Sequence, residues 1–161
     1  MANTTFTGPV RSENGFQTIV KSATTGAVTN SMTMSEYTAT ITVANGDTTG
    51  KEAAVGIPSN FIPMGVTIAV TTAATNAVTL TDIGTDANTD GFVDGISPAI
   101  NSTGFKGFFP CNGVLGMSGG TTTPSTATAD EVEVVVSGDP GASGVTMVLK
   151  FIGISSSSDA S

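Results

Sequence analysis

The sequence predicts an all-β protein: a single antiparallel β-sandwich or barrel, jelly-roll-like, with an extended N-terminal arm and a short flexible C-terminal tail. Three observations carry that prediction. Apolar residues alternate strictly with threonine and other polar residues in several short runs, and a period of two is the mark of a strand with one buried face. Turn-forming pairs, Asn14-Gly15, Asn45-Gly46 and Asn112-Gly113, separate those runs. Twenty glycines, a heavy Thr and Val content and the lack of any 3.6-residue apolar period argue against helix.

The elements follow in chain order. Residues 1–15 have no core pattern and read as the arm; residues 16–154 read as the folded domain. Phe16 to Lys21 is a first candidate strand. From Glu36 to Val43 the apolar set is Tyr37, Ala39, Ile41 and Val43, with threonines on the other face. Val66, Ile68 and Val70 repeat the pattern, and Val78 with Leu80 follows. Gly104–Gly116 is rich in aromatics, with Phe105, Phe108 and Phe109; such side chains usually belong to the core, and the competing reading is a contact surface. Residues 119–129 are low-complexity Thr, Ser, Ala and Gly and read as a surface loop. Val132, Val134 and Val136 mark another strand, and Asp130, Glu131 and Glu133 read as the charged edge that keeps it from aggregating. Val145–Ile154 is apolar on nearly every position, which predicts a central or doubly covered strand. Asp139-Pro140-Gly141 between these two runs predicts a hairpin turn. Residues 155–161, Ser-Ser-Ser-Ser-Asp-Ala-Ser, read as the flexible tail.

Composition limits the function. The chain has 161 residues, and a domain of that length buries about 70% of its unfolded surface. Only 11% of residues are charged, against about 25% in ordinary domains. Five cations face thirteen acids, for a net charge of −8. That balance argues against nucleic-acid binding, which needs clustered positive charge. The absence of histidine removes Ser-His-Asp and Cys-His catalysis, and the single Cys111 removes a disulfide framework and a Cys/His zinc site. Cys111 reads as an inert thiol. The opening residues lack the cationic and apolar regions of a secretory signal, and no apolar run nears the ~20 residues of a spanning helix, so synthesis in the cytosol and no membrane association are expected.

One motif suggests metal chemistry. Asp86, Asn88 and Asp90, followed by Gly91, have the D-x-N-x-D-G spacing of the first half of a calcium loop, and Asp94 falls at the ninth position. Ser97 stands where the bidentate Glu belongs, so calcium would be held weakly, at a Kd of about 10⁻⁴–10⁻³ M. The blander reading is an Asx-rich turn whose carboxylates accept local backbone N–H groups. No other cofactor is expected, and the chain is not expected to be an enzyme.

The opening Phe6-Thr7-Gly8-Pro9-Val10-Arg11-Ser12-Glu13-Asn14-Gly15-Phe16 resembles the start of small virion proteins of marine tailed phages. Thr103-Gly104-Phe105-Lys106-Gly107-Phe108-Phe109, with Asn112-Gly113-Val114-Leu115-Gly116, is similar to another stretch of them. The resemblance implies a capsid decoration (cement) protein, or a head fibre or knob. Such proteins are β-rich, often homotrimeric, and sit on the outer face of the major capsid protein shell, having been made in the host cytoplasm. Phe6, Pro9 and Arg11 in the arm, and Phe105, Phe108 and Phe109, are the expected partner-binding residues. Two further expectations compete. An adhesion or receptor-binding module would want stacked aromatics for sugar, and the chain has no Trp and only Tyr37. A tail-tube or connector subunit would be equally β-rich and oligomeric.

Overall fold

The computed structural model describes residues 17–21, 24–25, 28–52, 57, 61–115 and 131–157. The proposed arm, with Phe6, Pro9 and Arg11, and the 119–129 loop lie outside them. Among the described residues there are nine strands and no helix. They are β1 (Gln17–Lys21), β2 (Val28–Val43), β3 (Thr49–Lys51), β4 (Phe61–Thr72), β5 (Leu80–Thr85), β6 (Asn88–Val93), β7 (Gly104–Pro110), β8 (Val132–Val136) and β9 (Val145–Ser157).

The strands form two antiparallel sheets packed as a sandwich, not a closed barrel. The five-stranded sheet has the order β1-β2-β9-β4-β7 and the four-stranded sheet the order β3-β8-β5-β6. Alternation does what the sequence predicts. Ala39, Ile41 and Val43 of β2, Ile68 and Val70 of β4, and Met147, Leu149 and Phe151 of β9 point inward and are fully buried or nearly so. Leu80, Ile83, Phe92, Val132 and Val134 answer from the other sheet. Phe151 joins the layers. Its ring meets Phe92 of the opposite sheet edge-on at 5.5 Å between centroids, and Tyr37 of its own sheet at 6.3 Å.

The structure differs from the local reading at four places. β8 pairs with β3 and β5 while β9 pairs with β2 and β4, so Asp139-Pro140-Gly141 is a crossing between sheets and not a hairpin. The turn chemistry itself is present: Gly141 takes φ 86°, and the backbone N–H groups of Gly46 and Gly141 donate to Asp139 Oδ1 at 2.9 and 2.8 Å. β8 has a neighbour on each side, so Glu133 marks no sheet edge. β9 is central in its sheet, but its outer side is only half covered. It also takes in Ser155–Ser157, which pair with Ser31–Thr33 of β2 and which composition assigned to the tail.

Candidate functional site: the outer face of the five-stranded sheet

If odd positions of β2 and β9 fill the core, even positions must face outward, and pairing register aligns them in rows. One row runs Thr40, Val148, Ala69, Phe105 across β2, β9, β4 and β7. The next runs Thr38, Lys150, Thr67, Phe108, and the next Glu36, Ile152, Gly65, Pro110. Met34 lies beside Ile154 at the end. Large apolar side chains stand in water on this face: Phe105 is 69% exposed, Met34 60%, Phe108 54% and Ile152 37%. No strand of the other sheet carries a large exposed apolar side chain.

Local backbone geometry produces the double Phe projection. Strict alternation would send residues 105 and 108 to opposite faces. A bulge lets Gly107 pair with Ile68 while Phe105 pairs with Ala69, so Lys106 is the extra residue. Gly107 adopts φ 135°, a conformation open to glycine. The Phe108 ring then lies over Gly65, where any Cβ would enter the ring. The three phenylalanines expected at a contact therefore divide: Phe105 and Phe108 face out, and Phe109 packs against the core.

Charge is sparse here. Lys150 Nζ donates to Glu36 Oε1 at 3.0 Å, and Lys106 Nζ donates to Ser102 Oγ at 2.8 Å. Of the described acids only Glu36 belongs to a strand of this sheet; Asp82, Asp86, Asp90, Glu133 and the others lie on the four-stranded sheet or in loops.

The calcium-loop residues are built into a hairpin. Asp86-Ala87 is a two-residue turn joining β5 to β6, with Thr85 opposite Asn88. Asp86 is ion-paired to Lys51, and that hydrogen bond lowers its pKa while raising that of Lys51. Asp90 and Asp94 are four residues apart along and just past an extended strand, about 13 Å, too far to share an ion. The backbone N–H of Asp94 donates to Asn112 Oδ1, and that of Gly95 to Asp82 Oδ1. Both bonds tie together segments far apart in sequence, 18 and 13 residues, and are not local Asx turns; among the described residues no group of three or more His, Cys, Asp or Glu is placed to hold a metal.

Two buried carboxyls lie near this hairpin. Tyr37 Oη donates to Glu52 Oε2 at 2.7 Å; burial, and then this bond to an acid, raise the Tyr37 pKa. Burial also raises the pKa of Glu52. Glu133 Oε2 is buried without a hydrogen-bond partner among the described residues, with Lys51 Nζ at 3.9 Å, and its pKa is raised by burial. Cys111 is buried and its thiol is pushed up to about 12, so it is protonated at neutral pH. Of these groups, sequence reasoning anticipated only the inert thiol. Met34 and Ile152 were also missed; Met34 stands at outward parity in a strand whose next outward positions are Glu36, Thr38, Thr40 and Thr42, and Ile152 at outward parity in a strand apolar on both faces.

No protein-family model, no curated protein and no solved structure matches the chain.

Proposed function

We propose that the chain is a structural virion protein that decorates and stabilises the outer face of a phage capsid through protein–protein contacts. One observation carries the reading: the second stretch of resemblance to marine tailed-phage virion proteins, residues 103–116, builds an edge strand whose Phe105 and Phe108 stand in solvent. Exposed aromatics on a rigid sheet are an expense for a lone domain and an asset for a protein that docks. The acidic hairpin and loops suit a basic patch on the major capsid protein, steering encounter and disfavouring wrong partners. In this reading residues 1–15, with Phe6, Pro9 and Arg11, form an arm that reaches the shell.

The test is electron microscopy of capsids mixed with the full chain and with a variant lacking residues 1–15. The full chain is expected to add density at fixed positions on the shell. The truncated chain is expected to keep its β-rich circular dichroism and lose occupancy. Undiminished occupancy by the truncated chain overturns the arm assignment. Absence of shell binding by the full chain, with binding to host-cell glycans instead, overturns the decoration role.

A further inference from the structure

We infer that the outer face of the five-stranded sheet is where copies of this chain pack against one another. The inference deepens the proposed function and rests on it in treating this face as a protein contact: it gives Phe105 and Phe108 to contacts between copies of the decorating protein and leaves the shell to residues 1–15 and the acidic side; the occupant is argued from charge and area.

Charge selects the occupant. Each copy carries −8, so association must avoid bringing acids together. An approach through the four-stranded sheet would set Asp82 and Asp90 against their counterparts, Asp86 being paired to Lys51. The five-stranded sheet offers Glu36 already paired to Lys150, Lys106 bonded to Ser102 at its β7 edge, and otherwise mainly Thr, Met, Ile, Val and Phe. A basic partner would be drawn to the acidic side instead. A face with no unpaired acid can meet another like it without bringing acids together, and a second copy supplies one.

Area allows it. Four strands spaced at about 4.8 Å, over about nine residues of about 3.3 Å, give a projected patch of roughly 570 Å². Counting both copies gives roughly 1,100 Å², above the ~1,000 Å² a specific interface needs. Its anchors suit the role as well. Phe108 is held over Gly65 before any partner arrives, so little freedom is lost on docking. Met34 is unbranched and adapts to an opposing surface.

The test is the mass of the purified full chain in solution, without capsid, by sedimentation and light scattering across the micromolar range. The wild type is expected to be a dimer or trimer, and raising salt is expected to leave the association unchanged or strengthen it. Phe105→Asp/Phe108→Asp is expected to weaken association at least about tenfold, and Met34→Lys, on a different strand, to weaken it as well. Val114→Asp, an exposed apolar residue in the loop after β7, is expected to change nothing. A wild type that stays monomeric overturns the inference. An oligomer that survives both outer-face variants, or that salt dissociates, overturns it too. A monomer that associates only after deletion of residues 1–15 assigns the face to that segment and overturns the second-copy reading. Capsid occupancy is read in the separate binding experiment, so loss of one behaviour without the other shows which proposal has failed.

Discussion

At the scale of single residues, Phe151 shows how one side chain binds two layers. It is fully buried, belongs to the central strand of one sheet and meets Phe92 of the other. Phe151→Ala removes that bridge and leaves a cavity that β strands on both sides cannot easily close. The expected loss is about 3–5 kcal/mol, read as a lower urea midpoint with unchanged slope. Phe108 is the opposite case, an aromatic whose ring covers backbone at Gly65 and leaves half its surface in water. Aromatic content alone could not separate the two. Phe151 sits at inward parity in a regular strand, whereas the outward direction of Phe108 depends on a bulge made by pairing with β4.

At the scale of elements, the legible strands were those with water on one side and core on the other. The Tyr37–Val43 half of β2 and the Val66–Val70 stretch of β4 show period two because register and burial impose it together; β8 alternates in sequence although Glu133 is buried as well. β6 was not legible: Asn88-Thr89-Asp90-Gly91 has the residues of a turn, and it becomes a strand because β5 pairs with it and the 113–115 segment covers its free edge. That cover consists of Gly113 N–H donating to the Phe92 carbonyl and Leu115 N–H to that of Gly91. The Asp139 turn was legible as a turn, but its destination was not, since local chemistry bends the chain without saying which sheet receives it. Within β9, Gly153 stands where a Cβ would strike the backbone carbonyl of Ile62 on β4. Gly153→Ala is expected to push the two strands apart and cost about 1–3 kcal/mol. Thermal unfolding measures the loss, and hydrogen exchange should place the loosening at β4 and β9.

For the whole molecule, the fold separates two chemistries. Acids gather on and around the four-stranded sheet, and the other outer face is nearly neutral. Two of those acids, Glu52 and Glu133, are buried with raised pKa. A carboxyl whose folded pKa exceeds its unfolded value binds its proton more tightly when folded. Its contribution to stability is present below the ordinary Glu range and is lost as pH rises through the folded value. Asp86 and Asp139, lowered by Lys51 and by two backbone N–H groups respectively, act in the opposite sense, and their contribution is lost as pH falls below the ordinary Asp range. Tm is therefore expected to rise as pH drops toward the ordinary Glu range and to fall once pH passes below the ordinary Asp range. Glu52→Gln/Glu133→Gln should flatten the rise and leave the acid fall. A rise of equal size in the double variant would assign it instead to relief of the general negative charge.

The place of β9 between β2 and β4 has a consequence for biosynthesis. The ribosome delivers β2 and β4 long before the strand that joins them, so neither has its main partner in the five-stranded sheet while the chain is still growing. That sheet closes only after translation has passed Ser157. A chain that stops before β9 lacks the joining strand and leaves β2 and β4 without their shared neighbour, so such a truncation is expected to be cleaved far faster by a protease than the full chain.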